Sequence, residues 1–266
     1  MKTNRIYHQV LISIVLIYLL IPLAATFMYA IANEWQNTLL PKSWTLHWFT
    51  DMFQDARFID AMSNSLLVCT ISVLLSLVIM LPTIFIVTVY FPKWEYVLNA
   101  LAILPYAIPG VIAAVGLIKI YSTGPLAISG TIYILIGAYF VAILPYTYQG
   151  IRNSLRTVNA VQLIDAAELL GASKWQAFVR VVFPNIAPGI TVSVLLSFSI
   201  LFGEFVLANL LVGSRFETIQ IYLYNRLDES GHLASAVAIT YFVIVLLISG
   251  GIAKFNKWLV KNPKLN

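Results

Sequence analysis

Six long stretches of the chain carry no charged side chain. No Asp, Glu, Lys or Arg occurs within residues 6–33, 61–92, 96–118, 120–151, 181–203 or 230–253. A helix needs about 20 apolar residues to cross the hydrocarbon core of a bilayer, so each stretch is long enough. The runs are continuous, whereas strands of a membrane barrel alternate apolar and polar positions. The pattern predicts an all-α membrane protein with six transmembrane helices, in a single domain over residues 1–266.

The predicted helices extend slightly beyond some of these stretches and stop short of others. A dense cluster of prolines, Leu104-Pro-Tyr-Ala-Ile-Pro-Gly110, falls inside the third helix. Membrane helices tolerate proline where neighbours or water satisfy the freed carbonyls, so simple kinks and a functional hinge both fit. A further short helix is predicted at the membrane surface over residues 43–53. The transmembrane bounds are about 9–32, 62–90, 96–120, 126–149, 186–212 and 233–253.

Composition agrees with this pattern. Of 266 residues, 60% are hydrophobic and only 10% are charged, and the mean hydropathy is +0.88. A soluble domain of this length has to keep a polar exterior, so it cannot hide so much apolar surface. The net charge of +5 fits membrane topology and does not imply a nucleic-acid partner.

Lysine and arginine predict the orientation, because they accumulate in cytoplasmic loops. An N-terminus and a C-terminus on the inside place eleven basic residues inside and five outside. The outer ones are Lys42, Arg57, Lys119, Arg215 and Arg226. The inner ones are Lys2, Arg5, Lys93, Arg152, Arg156, Lys174, Arg180, Lys254, Lys257, Lys261 and Lys264.

The one sizeable inner loop, residues 150–185, has the signals of two short helices. Asn159 and Gln162 have the spacing of a capping box. Gly171 suits the left-handed position just past a helix end. Ser173 and Gln176 then form a second capping-box pattern, for a helix expected to stop at Pro184.

This loop has two other interpretations. A helix-turn-helix can bind DNA, but membrane helices tether both ends of this one, and its second helix carries only Lys174 and Arg180. A purely structural interfacial loop is the stronger alternative.

The loop resembles the EAA motif of binding-protein-dependent permeases of ATP-binding-cassette (ABC) importers. The carrying residues are Asp165-Ala-Ala-Glu-Leu-Leu-Gly171, followed by Val181-Val-Phe-Pro184. The motif spacing matches throughout, with conservative departures at Asp165, Val181 and Phe183. Six helices and placement before the second-last helix also match, so the resemblance covers nearly the whole chain and implies a type I importer fold.

The resemblance implies that this coupling loop (residues 150–185) docks into a groove on a cytoplasmic ATPase. The implied partners are two such ATPase subunits, a second permease subunit, an extracytoplasmic substrate-binding protein and the lipid bilayer, with no nucleic acid. The implied location is the cytoplasmic membrane of a bacterium. The residues expected at the ATPase contact or its rim are Asp165, Ala166, Ala167, Glu168, Gly171, Lys174 and Pro184.

No catalytic site is predicted in the chain itself. There is no Gly-x-x-x-x-Gly-Lys-Ser/Thr segment to cradle a phosphate. Three scattered histidines and one cysteine provide no metal cluster. The chain is therefore predicted to be no enzyme and to hold no cofactor, and a partner subunit would bind ATP.

A translocation pathway is predicted around helix 5. Ser193, Ser197 and Glu204 share a stripe at helical spacing, and an acid within a membrane helix faces a bundle interior or a water-filled cavity. The alternative is a hydrated, inert Glu204 near the outer interface. Helices 3 and 4 offer Tyr106, Tyr146 and Gln149 as further lining residues.

The predicted function is transport of a small polar solute. Trp35, Pro41, Trp44-Thr-Leu and Gly203-Glu-Phe-Val206 resemble segments of polyamine permeases, with aminoethylphosphonate and ferric-ion permeases also similar. The alternative is a secondary carrier or channel driven by an ion gradient, which would need intramembrane ionisable pairs. Only Glu204 is available for such a pair.

Overall fold

The structure, a computed structural model, describes the backbone of residues 2–35 and 38–261 and the side chains of residues 7–35 and 38–254. Among the predicted inner basic residues, Lys264 lies outside the described residues, and Lys2, Arg5, Lys257 and Lys261 lie outside the described side chains. No strand occurs in the described part of the chain. The α-helices are α1 (Lys2–Ala30), α2 (His47–Gln54), α3 (Ala56–Tyr90), α4 (Glu95–Ile103), α5 (Gly110–Tyr121), α6 (Ile132–Thr157), α7 (Ala160–Leu169), α8 (Lys174–Ala177), α9 (Phe183–Phe202), α10 (Val206–Leu211), α11 (Ile219–Leu227) and α12 (Gly231–Lys261).

The helices include enough long apolar segments to cross a membrane repeatedly, which confirms the predicted helical membrane protein. A sixth span is present if the bent pair Pro92–Ala107 and Gly110–Tyr121 is counted as one crossing. The five uninterrupted candidates are Tyr7–Ala30, Ala56–Tyr90, Ile132–Thr157, Lys174–Phe202 and Gly231–Lys254.

The third predicted helix is not continuous. It breaks after Ile103, makes a short 3₁₀ turn over Leu104–Ala107 and resumes at Gly110, with a bend of 100° between the two parts. Pro109 causes the break, because its ring disfavours the helical conformation in the preceding residue. Ile108 is accordingly extended, with φ −108° and ψ 113°.

The fifth predicted helix also differs from expectation at both ends. It begins earlier, because the chain does not stop at Pro184: a π-helical turn over Phe178–Val182 leads directly into α9. Proline is accepted there because it lies in the first turn of α9, after the widened turn. The helix ends at Phe202, and Gly203–Phe205 separates it from the short helix α10.

Other bounds shift by a few residues. The second span begins at Ala56 and the fourth at Ile132, where 62 and 126 were predicted. The described part of α12 reaches Lys261. The short helix predicted over residues 43–53 is present in part as α2, which begins at His47.

The chain divides into two compact units. Unit 1 comprises Met1–Ile59 and Tyr222–Ile244. Within it, the ring of His232 stacks on Tyr29 at 4.0 Å and on Trp48 at 5.4 Å between centroids. The Trp48 indole also donates a hydrogen bond to the carbonyl of Ala32 at 2.9 Å.

Unit 2 comprises Asp60–Ile221 and Val245–Asn266. Within it, α6 packs closely against α9, and small residues allow this approach. A Cβ added to Gly150 would lie 1.6 Å from the Ser193 hydroxyl oxygen, and one on Gly189 would lie 1.7 Å from that of Ser154. Membrane helices commonly pack through such small residues.

Candidate functional site

The coupling loop turns on a glycine that the structure places as predicted. Gly171 has φ +85°, in the left-handed region. Its N–H donates to the carbonyl of Glu168 at 2.9 Å, and the N–H of Ala172 donates to Ala167 at 3.0 Å. This pair of bonds is the Schellman arrangement that ends a helix, and it fixes the direction in which α8 leaves the turn.

Of the two predicted capping boxes, one forms. The Ser173 hydroxyl accepts from the N–H of Gln176 at 3.3 Å, and the Gln176 side chain accepts from the N–H of Ser173 at 2.9 Å. The box predicted at Asn159 is absent, because Asn159 has φ +50° and makes no side-chain cap to α7. In that conformation the residue acts as a sharp corner between α6 and α7.

One side of the loop is anchored in the core of unit 2. Ala160, Ile164 and Ala167 lie at helical spacing on α7 and are at most 8% exposed. They belong to one apolar cluster with Tyr148 and Ile151 of α6. Ala167, predicted at the ATPase contact, therefore has its side chain directed at the core of unit 2.

The other side of the loop is exposed and partly apolar. Asp165, Ala166, Glu168 and Gly171 are all exposed, as expected for a contact surface. The side chains at the tip that sequence reasoning missed are Leu169 and Leu170, each 89% exposed, and Trp175, 71% exposed. The sequence carried a signal for Leu169, which lies opposite Ala160, Ile164 and Ala167 at 100° per residue.

Aromatic side chains hold the start of α8 against the end of α3. Phe178 packs on Phe85 with ring centroids 4.3 Å apart, and Trp175 packs on Phe178 at 5.8 Å. The Lys174 ammonium lies 5.0 Å over the ring of Tyr90. Lys174, predicted at the ATPase rim, thus contacts α3, and Pro184 is partly exposed at the start of α9.

An ion pair joins the bent helix to α6 near the coupling loop. Glu95, the first residue of α4, accepts from Arg152 at 2.5 Å and from Arg156 at 2.9 Å. Both arginines lie in the last turns of α6, directly before the Asn159 corner. A movement of the loop that shifts these arginines would therefore also shift α4.

The break between α4 and α5 lies next to the break between α9 and α10. The α4–α5 break ends at Gly110, where an added Cβ would lie 3.8 Å from the Val206 side chain at the start of α10. Interrupted helices at membrane depth are found where backbone is buried in protein or lines a cavity. This junction is the strongest structural candidate for part of a pathway.

Glu204 lies in the second break and has a defined bonding role. Its Oε1 accepts from the N–H of Leu207 at 2.7 Å, and its Oε2 accepts from the N–H of Ala208 at 3.0 Å. Glu204 thus caps α10. The predicted stripe does not extend to it, because α9 ends at Phe202, and Ser193 and Ser197 are buried.

The remaining predicted pathway residues lie near the first break. The rings of Tyr106 and Tyr146 pack edge to face with centroids 5.5 Å apart. Tyr106 is 54% exposed, and Gln149 is exposed on α6, three positions after Tyr146. These three side chains form one polar surface on unit 2.

No group of three or more His, Cys, Asp or Glu that could hold a metal occurs among the residues described. The candidate site has two parts: the exposed side of the coupling loop, and the polar region around the two helix breaks. The ion pair of Glu95 with Arg152 and Arg156 joins them.

Comparison with known sequences places the chain among transport proteins. The family profile described as "Binding-protein-dependent transport system inner membrane component" matches residues 80–261. A Salmonella choleraesuis protein that carries the name 2-aminoethylphosphonate transport system permease protein PhnV is 28% identical, covering 92% of this chain and 91% of its own. The Escherichia coli sulfate transport system permease protein CysT is 27% identical, covering 88% and 85%.

Solved structures share the fold. A subunit of a bacterial alginate ABC transporter, solved with an alginate pentasaccharide-bound periplasmic protein, matches with a TM-score of 0.75 at 21% identity, over 96% of this chain and 95% of that one. A chain of the MetNI methionine ABC transporter, in an inward-facing conformation, matches with a TM-score of 0.60 at 18% identity, over 77% and 95%.

Proposed function

Since the chain belongs to the family of binding-protein-dependent transport system inner membrane components, we propose that its coupling loop is the surface through which a partner ATPase drives transport. The chain is a multi-pass permease subunit of an ABC importer for a small polar solute. ATP would be bound and hydrolysed by the partner, and the chain itself would carry no catalytic site.

The observation that carries this proposal is the two-sided character of the loop. A buried side made of Ala160, Ile164 and Ala167 fixes it to the bundle, while Leu169 and Leu170 are almost fully exposed. Exposed large apolar residues beside small ones mark interaction surfaces. Asp165, Ala166, Glu168 and Gly171 surround these leucines and would complete the contact.

In this arrangement the loop lies on the cytoplasmic side, with both chain ends inside. The excess of basic residues predicted on that side supports this orientation. The protein would reside in the cytoplasmic membrane of a bacterium, paired with a second permease subunit and served by an extracytoplasmic substrate-binding protein.

Copurification tests the coupling proposal. Leu169→Asp with Leu170→Asp places two charges in the apolar contact, and we expect the ATPase subunit of the same transporter, co-expressed with this chain, to be lost from the purified complex. Leu39→Asp is the matched control, because Leu39 is 94% exposed and lies outside the loop. Full retention of the ATPase by the loop variant would contradict the proposal.

For the cargo, we propose a small polar solute of the aminoethylphosphonate or polyamine kind. The names of the relatives favour the first of these. The polar surface of Tyr106, Tyr146 and Gln149 beside the paired helix breaks would line the pathway, with Glu204 holding the second break in shape.

Uptake measurements distinguish the two cargoes. Cells expressing the complete transporter should accumulate labelled 2-aminoethylphosphonate. An excess of unlabelled 2-aminoethylphosphonate should abolish this uptake, whereas the same excess of spermidine or sulfate should not. Competition by spermidine alone would move the assignment to polyamines. Uptake that persists without any ATPase subunit would instead support a gradient-driven carrier.

A further inference from the structure

An apolar groove of about 450 Å³ lies between the end of α3 and α4. All of its lining side chains are apolar: Val87, Phe91, Trp94, Val97, Leu98 and Leu101. Phe91 and Trp94 are 55% and 62% exposed. Exposed aromatic residues, Trp above all, are typical of the membrane–water interface.

The rim of this groove is positively charged. Lys93 stands between Phe91 and Trp94 in the sequence and is exposed. Lys174 lies over Tyr90, the residue before Phe91. Neither lysine has an ion-pair partner within the described part of the chain.

Negative charge near the groove is already compensated. Glu95 follows Trp94 directly, but its carboxylate is held by both Arg152 and Arg156. Two arginines against one carboxylate leave one positive charge, which adds to those of Lys93 and Lys174. The acids of α7, Asp165 and Glu168, make no hydrogen bond or ion pair with these rim residues where side chains are described.

We propose that the groove binds an anionic phospholipid from the leaflet next to the coupling loop. An acyl chain would occupy the apolar groove while the headgroup phosphate lies between Lys93 and Lys174. Lysines near an anionic headgroup strengthen such binding measurably. A second copy of the chain fits less well, because a twofold contact would place the same basic rim against itself.

The site would also connect lipid to transport. Lys174 is the first residue of α8 in the coupling loop, and Lys93 belongs to the turn that starts α4. A headgroup bound by both would tie the loop to the membrane surface. Lys174 is thereby assigned to lipid and not to the ATPase rim.

Brominated lipids provide the test, because bromine quenches tryptophan fluorescence at contact. The full chain would be reconstituted in phosphatidylcholine vesicles containing increasing amounts of brominated phosphatidylglycerol or brominated phosphatidylcholine. The Trp94→Phe variant, measured in parallel, isolates the contribution of Trp94. We expect Trp94 to be half-quenched at a mole fraction of the anionic lipid about tenfold lower than that of the neutral lipid.

The double variant Lys93→Gln with Lys174→Gln should bring the two mole fractions close together. The control, Lys42→Gln with Lys119→Gln, removes the same charge at exposed positions that do not line the groove and should keep the tenfold preference. Equal quenching by both lipids in the unmodified chain would overturn the proposal. So would an unchanged preference in the first variant, or no quenching of Trp94 by either lipid, which would mean that protein covers the groove.

Discussion

Glu204 lies between two helices, and the way its carboxylate is held separates two roles for it. Both side-chain oxygens accept backbone N–H groups, those of Leu207 and Ala208. A residue that contacts cationic cargo would need at least one oxygen directed at the pathway. The geometry therefore favours a capping role, in which Glu204 fixes the start of α10 beside the end of the α4–α5 break.

Substitution of Glu204 tests this role. Glu204→Ala removes both acceptors, and we expect a loss of about 1 kcal/mol in unfolding free energy, as for other helix caps. Glu204→Gln keeps one acceptor oxygen and should retain most stability and near-normal uptake. Thermal unfolding in detergent and uptake in vesicles would be measured for both variants.

A matched control is Gln149→Ala, which removes an exposed polar side chain of similar size from α6 and should leave stability unchanged. The capping role would be refuted by a Glu204→Gln protein that is fully stable but transports nothing. That outcome would instead assign the charge of Glu204 to the cargo.

The helices α6 and α9 of unit 2 pack closely at two interlocked positions. At each position a glycine of one helix receives a serine of the other: Gly150 receives Ser193, and Gly189 receives Ser154. Both serines also bond to carbonyls of their own helices, Ser193 to Gly189 at 3.1 Å and Ser154 to Gly150 at 2.7 Å. The hydroxyls are therefore satisfied without a partner across the interface.

Gly150→Ala should destabilise this interface. The new Cβ would lie 1.6 Å from the Ser193 hydroxyl oxygen and 2.8 Å from its Cβ, so the helices have to separate or the serine has to move. Overpacking of this kind costs about 1–3 kcal/mol. The melting temperature of the detergent-solubilised protein should fall accordingly.

A compensating change distinguishes overpacking from a loss of backbone freedom. Gly150→Ala combined with Ser193→Gly removes both close atoms and leaves the Ser193 Cα as the nearest, at 3.6 Å. This double variant should recover much of the lost stability, whereas Gly150→Ala with Ser193→Ala should not. Equal stability of the two double variants would show that the predicted overlap is not the cause.

At the scale of the whole molecule, the sequence predicts which segments lie in the membrane better than it predicts where helices break. Apolar composition is the same for a continuous and an interrupted helix, so the breaks before Gly110 and after Phe202 are not visible in hydropathy. The first had a signal in its paired prolines. The second has only Gly203, and a single glycine is tolerated within membrane helices.

The coupling loop shows the same difference between local and tertiary information. Gly171 and the box at Ser173 are confirmed because they depend on neighbouring residues alone. The burial of Ala167 depends on which face of α7 meets α6. The spacing of Ala160, Ile164 and Ala167 carried that information, whereas the resemblance to the family motif predicts the alanines as contact residues.

Unit 1 is held at one end by a charged network that makes the stability of the molecule depend on pH. The Asp55 carboxylate accepts from the Tyr222 hydroxyl at 2.8 Å, from the Arg226 guanidinium at 2.5 Å and from the N–H of Arg57 at 2.9 Å. Arg226 also pairs with Glu229. Burial and the bond to Asp55 raise the pKa of Tyr222 to about 12, so its hydroxyl remains a donor at neutral pH.

Acid should weaken this network. Burial by itself would raise the pKa of Asp55, but the bonds from Tyr222 and Arg57 and the charge of Arg226 outweigh it and hold the pKa below the ordinary value of 3.8. A carboxylate with a lowered pKa contributes stability that is complete above its unfolded pKa and is lost as pH falls through the folded one. The unfolding free energy, measured from pH 7 to about pH 3, should therefore decline below about pH 4.

In the Asp55→Asn variant this decline should be shallower, and the unfolding free energy at neutral pH should be lower. Asp60→Asn, which changes an exposed acid three residues after Arg57, serves as the control and should retain the slope of the unmodified protein. Identical slopes for all three proteins would show that the network contributes nothing to folding.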